Sequence, residues 1–494
     1  MRRIPSFLLA GLVLASGHAT PAAARERAAS APLPERLLRR VAEAKVRDGQ
    51  LGLCVVALDS GAVVAEVGGT TPLVPASVAK VATAAAALDG LGPGWTWSTT
   101  VDARGTFDAA TGTLDGDLVV HGSGDPMLSK RNQEGLSKRG READPLHPLS
   151  LLAAAVAERG VKRVTGAVVL DDGPFDRSYL HPTWLASDLD KWYAAPVAGL
   201  TFNDGCISVL VRGGVSEGDP ARVEAPSTAG PWTLTNATTT EGGKALVGGV
   251  WTEGGTRLRV QGSVPAGSAT AFDVPAPDPL ALFGSAFQAA LLASGVVVEG
   301  GVKVALSDAD RAAGQPIAVV KDELAEALRV MNRRSQNLYA SLVFKACGAA
   351  REGKGTWESG SRAVADAFER RGVGDPGFLI VDGSGLSRDN RATARALAGV
   401  LAAFDRDPVR GPILRDSLAV PGDEEGTLRK RLKSADAKAR VRAKTGTLKG
   451  VHALVGYVDG REGRAGFAFA AILNGSYADP VGFLDDVVQD LLDE

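Results

Sequence analysis

Several residue types that mark specialised proteins are scarce in this sequence. Of its 494 residues, 5% are aromatic, five are histidine and three are cysteine, at Cys54, Cys206 and Cys347. An odd and sparse set of cysteines does not form a disulfide framework, and the histidines show none of the spacings typical of metal sites. We therefore expect no metal and no cofactor, while the redox state of the cysteines stays open.

Neither a charge excess nor a long apolar run marks the body of the chain. The net charge of −2 gives no electrostatic reason to expect a nucleic-acid partner. At the start, Arg2 and Arg3 precede an apolar stretch over 7–14 and small residues over 22–24. This order predicts a signal peptide over 1–24 and export to a periplasmic or extracytoplasmic space, with an uncleaved anchor as the alternative. Peripheral membrane association and oligomeric state stay open.

The pattern of apolar residues changes twice along the chain. A chain of this length is expected to form two to four domains. Over 33–95 the pattern predicts a helix, a β-hairpin and a buried alanine-rich helix. Short strand-like runs between glycine, threonine and proline clusters follow over 96–285, where we expect an insertion of two subdomains. Over 286–494 helices return, followed by three strands and a last helix.

The three strands near the C-terminus indicate the architecture. They are predicted at 440–448, 451–460 and 466–475, and their short turns imply an antiparallel meander. If the N-terminal hairpin joins this sheet, residues 33–95 and 286–494 form one domain that the insertion interrupts. The predicted fold class is α/β, in the α+β arrangement. It combines an antiparallel sheet flanked by helices, a helical subdomain and a large β-rich insertion.

The first motif with chemical content is Ser77-Val78-Ala79-Lys80, at the start of the alanine-rich helix. Residues three apart share a helix face, so the Lys80 amine can reach the Ser77 hydroxyl. A serine needs a base to become a nucleophile, and burial makes a lysine such a base by lowering its pKa. Taken alone, this spacing is more often an N-cap serine followed by a solvated lysine.

The second motif, Ser335-Gln336-Asn337, lies between two helical runs. The Ser335 hydroxyl could pass a proton to a leaving amine, and the Asn337 amide could bind a substrate carbonyl. The alternative is structural, with Ser335 or Asn337 as the cap of the next helix.

The third motif is Lys444-Thr445-Gly446, followed by Thr447, on a predicted strand. Lys444 and Thr445 could hold a terminal carboxylate by charge and hydroxyl, and a ligand backbone could lie alongside Gly446. The backbone N–H groups of Thr447 and Ser77 could together form an oxyanion hole. An exposed strand lysine before a turn glycine is the alternative.

In this order and these contexts, the three motifs are the signature set of β-lactamases and penicillin-binding proteins. From about residue 34 onwards, the chain resembles the low-molecular-mass class C penicillin-binding proteins, the DacB-type D-Ala-D-Ala carboxypeptidases. The resemblance also includes the glycine-rich stretch 381–397, the insertion stretches 122–128 and 171–184, and the strand pair 443–458. A large insertion between the first two motifs separates that family from the compact β-lactamases.

The resemblance implies an enzyme that cuts the terminal D-Ala, or D-amino-acid cross-links, in peptidoglycan peptides and is acylated by penicillin. Its expected partners are therefore peptidoglycan peptides and β-lactams. It also implies the roles of the motif residues. Ser77 would be the nucleophile and Lys80 its base, Ser335 and Asn337 would relay a proton and position the substrate, and Lys444 and Thr445 would bind the terminal carboxylate.

A side pocket for the diaminopimelate arm is known in the resembled family. Arg388, with Asp171 or Asp172, would be the matching charges here, because an arginine and a carboxylate suit a zwitterionic end group. A solvated loop arginine is the alternative for Arg388. Lys449 lies where relatives often carry an uncharged residue, which leaves the preferred side chain open.

Two other functions compete with this prediction. One is a β-lactamase or esterase on the same fold, but the chain lacks a Glu-x-x-Leu-Asn stretch of the class A kind. The other is a non-catalytic cell-wall-binding protein, against which the intact motifs argue. The sequence does not decide the balance of carboxypeptidase and endopeptidase activity, or the partners of the insertion.

Overall fold

The sheet that carries the motifs is built from both ends of the chain. The computed structural model describes residues 31–44, 46–129, 146–225, 231–461 and 463–494. The predicted signal peptide over 1–24 lies outside the described residues. Among the described residues, no helix has the length and apolar character needed to cross a membrane.

The main sheet joins the N-terminal hairpin to the C-terminal meander. Its strand order is 441–448, 451–458, 467–477, 46–57 and 63–67, and each neighbouring pair is antiparallel. The predicted meander and the predicted joining of the hairpin are therefore confirmed. The strands are β1 (Val46–Ala57), β2 (Val63–Val67), β16 (Val441–Leu448), β17 (Val451–Val458) and β18 (Phe467–Tyr477).

This sheet is buried on both faces, because successive side chains of a strand point to opposite faces and its central strands carry apolar residues at consecutive positions. Leu53 and Val55 pack with the terminal helices on one face, whereas Cys54 and Val56 belong to the larger core on the other. Two helices cover the first face, α1 (Leu33–Glu43) and α12 (Pro480–Leu492). The second core contains helices α2 (Ala79–Gly90), α6 (Leu324–Arg333), α7 (Asn337–Glu352), α8 (Trp357–Arg370), α9 (Ala394–Asp405) and α10 (Arg410–Ser417). The short helix α11 (Ala435–Arg440) leads into β16.

The insertion has its own sheet and its own core. Its strand order is 297–298, 163–164, 113–121, 96–108 and 315–323, and the strand 168–171 pairs with both 113–121 and 302–304. Helices α3 (His147–Glu158) and α4 (Pro279–Ala293) contribute to this core; helix α5 (Asp308–Arg311) is short. The strands are β3 (Thr96–Asp108), β4 (Thr113–His121), β5 (Arg163–Val164), β6 (Val168–Asp171), β13 (Val297–Val298), β14 (Val302–Val304) and β15 (Gln315–Glu323).

Two small sheets complete the insertion. One has the strand order 246–252, 257–264 and 233–240, and the other has the order 269–275, 206–212 and 222–224. Their strands are β7 (Cys206–Arg212), β8 (Arg222–Glu224), β9 (Thr233–Thr240), β10 (Leu246–Thr252), β11 (Arg257–Val264) and β12 (Ala269–Pro275). The sequence predicted that the insertion ends at residue 285. Its strand pairing continues beyond that boundary, since β15 pairs with β3 as far as Glu323.

Candidate active site

The predicted nucleophile stands on a strained turn. Ser77 lies in a 3₁₀ turn, Ala76–Val78, that leads directly into α2. Ala76 has φ of +51°, an uncommon value for a residue with a side chain. Its carbonyl is in close contact with Gly385, where a Cβ atom would come within 1.9 Å of it. The neighbouring loop therefore holds the turn in a conformation that presents Ser77.

Lys80 contacts Ser77 from the first turn of α2. Its Nζ lies 3.1 Å from Ser77 Oγ, 2.7 Å from Asn337 Oδ1 and 2.6 Å from the carbonyl oxygen of Ser384. The side chain is fully buried. Burial lowers the pKa of Lys80 to about 7, although the charge of Asp382 acts in the opposite direction. A buried amine among neutral oxygens is suited to take a proton from an adjacent hydroxyl near neutral pH.

The Ser-x-Asn motif connects α6 to α7 and faces the same cleft. Ser335 has φ of +59°. The Asn337 Oδ1 atom accepts from Lys80, and its Nδ2 donates to the carbonyl of Tyr193 at 2.9 Å. The alternative that Ser335 or Asn337 caps the helix is wrong, because the N-cap position of α7 is Gln336 and makes no capping side-chain bond.

Lys444 is the second buried lysine of the cleft. Its Nζ donates to Ser335 Oγ at 2.8 Å and to the carbonyl of Thr445 at 2.8 Å. Burial, and then the charge of Lys80, hold the pKa of Lys444 well below its ordinary value. The cleft thus contains two serine–lysine pairs, one on a helix and one that joins a loop to the strand β16.

Gly446 has a packing role that the sequence did not reveal. A Cβ atom there would lie 2.7 Å from the carbonyl oxygen of Pro75 and 3.2 Å from a methyl carbon of Val78. The absent side chain lets β16 pack against the turn that carries Ser77. This packing is a further reason for a glycine at this position, and the prediction that a ligand backbone lies alongside Gly446 stays a prediction.

The motif residues share one open cleft of about 530 Å³. Ser77, Ser335, Thr445 and Thr447 contribute to its lining. The structure therefore brings the three motifs together. The opposite wall, which the sequence analysis missed, comes from irregular chain before α11 and contributes Glu425, Gly426, Thr427, Arg429 and Arg431, next to Arg334.

The glycine-rich stretch 381–397 contacts Lys80 through the carbonyl of Ser384 and does not line the cleft. Ser384 and Ser387 are fully buried. The centre of this loop is the buried carboxylate of Asp382. Burial tends to raise its pKa, but hydrogen bonds outweigh that effect and hold it below its ordinary value. These bonds come from Ser387 N, Asn390 Nδ2, Trp184 Nε1, Gly385 N and Ser384 Oγ.

Arg388 and Asp171 do not share partners. Arg388 donates to the carbonyl of Lys449 at 2.9 Å, just beyond the end of β16. Asp171 lies at the end of β6, where its oxygens contact His121 at 3.1 Å and Arg311 at 3.2 Å. Asp172, the other predicted carboxylate, pairs with Arg177 at 3.0 Å. Of these predicted residues, only Arg388 contacts the chain segment that carries the third motif.

Within the part of the chain that the structure describes, no group of three His, Cys, Asp or Glu side chains could hold a metal ion. All three cysteine side chains are buried.

A split antiparallel sheet with a serine and a lysine on its adjoining helix defines the class of penicillin-recognising serine enzymes. Comparison with known families identifies the member of that class. The D-Ala-D-Ala carboxypeptidase 3 (S13) family matches residues 33–486. The chain therefore belongs to this family of serine peptidases.

Individual relatives agree with this assignment. A D-alanyl-D-alanine carboxypeptidase of Actinomadura sp. (strain R39) is 34% identical over 446 residues, which cover 87% of this chain and 78% of the relative. The carboxypeptidase DacB of Mycolicibacterium smegmatis is 30% identical over 467 residues, 92% of this chain and 83% of the relative. The crystal structure of penicillin binding protein 4 (dacB) from Haemophilus influenzae has the same fold, with a TM-score of 0.76 at 23% identity, covering 93% of this chain and 99% of that one.

Proposed function

We propose that the chain is a serine-type D-Ala-D-Ala carboxypeptidase and endopeptidase that acts on peptidoglycan stem peptides and cross-links, and that penicillin acylates it. The observation that carries the proposal is the contact of 3.1 Å between Lys80 Nζ and Ser77 Oγ inside the shared cleft. Because burial lowers the pKa of Lys80 to about 7, a large share of its amine is neutral near pH 7 and can take the Ser77 proton.

In the first step, Lys80 takes the Ser77 proton while the serine oxygen attacks the peptide carbonyl carbon. The backbone N–H groups of Ser77 and Thr447 are the proposed oxyanion hole, since both residues line the cleft. The carbon–nitrogen bond then breaks, and the proton that Lys80 took passes through Ser335 to the leaving amine, which leaves Lys80 neutral again. The Lys444–Ser335 contact of 2.8 Å supports this relay.

Substrate binding is assigned to the strand β16 and its surroundings. Lys444 and Thr445 are the proposed ligands of the terminal carboxylate, whose negative charge would favour the protonated form of Lys444. Gly446 acts by letting the strand approach Ser77. Arg388, held beside Lys449, is the proposed contact for the side chain of the residue that becomes the acyl group.

Asp171 has no part in this proposal, because His121 and Arg311 already contact its carboxylate oxygens.

Water hydrolyses the serine ester in the second step, which releases the shortened peptide and restores Ser77. Export to a periplasmic or other extracytoplasmic compartment, where peptidoglycan lies, belongs to the proposal as well and rests on the sequence of residues 1–24.

Incubation with a labelled penicillin, followed by peptide mapping, tests the proposal. We expect one label on Ser77 that persists for minutes or longer, and release of D-Ala from a pentapeptide stem. The Ser77→Ala variant should show neither. Label on another residue would overturn the mechanism, whereas rapid turnover of the penicillin would indicate a β-lactamase.

A further inference from the structure

Three arginines give the cleft a cationic wall. We use the name arginine wall for Arg334, Arg429 and Arg431, which line the cleft together with a single acidic residue, Glu425. Such a wall raises the local concentration of anionic groups and orients them. The proposed catalytic residues do not account for these charges.

The contacts of the arginine wall leave room for a ligand. Glu425 is engaged by Arg334 at 2.5 Å, and Arg431 is held by Asp485 at 2.7 Å. Arg429 is exposed and makes no ion pair within the described ranges. Thr427 Oγ1 is buried in the same wall and has no hydrogen-bond partner in the described part of the protein. A buried hydroxyl without a partner is costly unless a ligand or water bonds to it.

The position of this wall relates it to the leaving group. In the proposed mechanism the proton reaches the departing amine through Ser335, and Arg334 is the adjacent residue in the chain. Arg388 contacts Lys449, which follows the end of β16 and lies five residues beyond Lys444. In the proposed mechanism, Arg388 is therefore assigned to the acyl side of the substrate, and the arginine wall, through Arg334, to the leaving side.

We infer that the arginine wall is a subsite for an acidic leaving peptide, so that the enzyme favours cross-linked peptides over single stems. This inference rests on the proposed function and names its substrate class. A released D-Ala has one carboxylate, which Lys444 and Thr445 already serve. A leaving peptide carries further carboxylates, and these would reach Arg429 and the Thr427 hydroxyl.

In the reaction concerned, the carbonyl carbon forms a bond with Ser77 Oγ and loses its bond to the cross-link nitrogen. That nitrogen receives the proton and leaves as the amine of the acidic peptide. Only the leaving half differs from the reaction that releases D-Ala. A group that binds this half therefore changes one activity and spares the other.

The experiment compares two substrates of the full-length enzyme: a pentapeptide stem that loses D-Ala, and a cross-linked peptide dimer of the same acyl half. For Arg429→Glu we expect kcat/KM on the dimer to fall about tenfold and D-Ala release to stay unchanged. Arg259→Glu is the matched control, because Arg259 is an exposed arginine on β11, outside the cleft. A dimer in which the leaving carboxylates are amidated should lose the difference between wild type and Arg429→Glu.

Two results would overturn the inference: equal losses on both substrates, or no loss on the dimer. Penicillin labelling separates these results from a failure of the proposed function. Labelling at Ser77 in wild type and Arg429→Glu keeps the mechanism and tests the subsite alone. If wild type acquires no label at Ser77 and cleaves neither substrate, the proposed function and the subsite both fall.

Discussion

Buried lysines serve two regions of this molecule in different ways. In the cleft, Lys80 and Lys444 donate only to neutral oxygens: hydroxyl, amide and backbone carbonyl. At the junction between α7 and the insertion, Lys345 is equally buried but pairs with Asp176 at 2.6 Å. We infer from this comparison that burial alone does not make a lysine a base, since a carboxylate partner favours the protonated amine.

The junction lysine is fixed by more than one contact. Lys345 Nζ also donates to the carbonyl of Ser178 at 2.8 Å and lies 4.4 Å from the ring centre of Trp357. Burial lowers the pKa of Lys345, and the bond to Asp176 acts against that effect. This lysine joins α7, the helix that begins with Asn337, to the insertion. We interpret it as a structural ion pair.

The largest expected effect separates the two regions directly. Lys80→Met removes the base but keeps much of the buried volume, so the rate of acylation by penicillin should fall about 10²- to 10⁴-fold. Stopped-flow or quench measurements with a labelled penicillin give this rate. Lys345→Met is the matched control, for which the acylation rate of the folded protein should not change. Similar losses in both variants would remove the distinction between the regions.

The second prediction concerns pH. The reactive form of Lys80 is the neutral amine, which is lost as pH falls through its pKa of about 7. The acylation rate of wild type should therefore drop about tenfold for each pH unit below that value and level off above it. A penicillin without a titrating group in this range makes the profile readable. An inflection near the ordinary pKa of lysine would show that burial does not tune this amine.

The regular part of this architecture could be predicted from the sequence, because alternating and helical apolar patterns report it directly. The three strands of the C-terminal meander were predicted to within two residues of their observed ends. The N-terminal hairpin was predicted from residue 51, but its first strand begins five residues earlier, at Val46. The strand β15 was missed, since its charged second half merges with the helical pattern of α6. The helix α8 was also missed, although Thr356 and Ser359 form a capping box at its start.

For the site, the three motifs could be predicted because their spacing carries the chemistry. Asp382 could not, since its importance comes from the hydrogen bonds that a folded loop directs at one carboxylate. Nor could the arginine wall, because Arg334 and Arg429 are far apart in sequence and lie in irregular chain. Long-range contacts of this kind have no local pattern.

The third prediction tests the structural half of the comparison. Lys345→Met leaves Asp176 without its partner, and should lower the free energy of unfolding by about 2 kcal/mol, less than for a fully buried pair because Asp176 is partly exposed. Urea unfolding measures the change. Lys303→Met, at an exposed lysine on β14, is the control and should leave stability unchanged. A stable Lys345→Met protein would mean that the ion pair does not hold the junction.

The smallest effect concerns a buried group that has a like charge beside it. Asp125, in the loop after β4, faces Asp322 of β15. Burial, and then the charge of Asp322, raise the pKa of Asp125 well above its ordinary value. Its contribution to stability is therefore present below the ordinary carboxyl pKa and is lost as pH rises through the raised one.

Asp125→Asn should increase the free energy of unfolding by about 1 kcal/mol at pH 8, because the amide removes the like charge and can still accept from Met127 N. The gain should shrink toward pH 4, where the native carboxyl is protonated. Thermal unfolding across this pH range checks both statements, with the exposed Asp308→Asn as the control. A variant that is less stable than wild type at pH 8 would show that Asp125 needs its charge there.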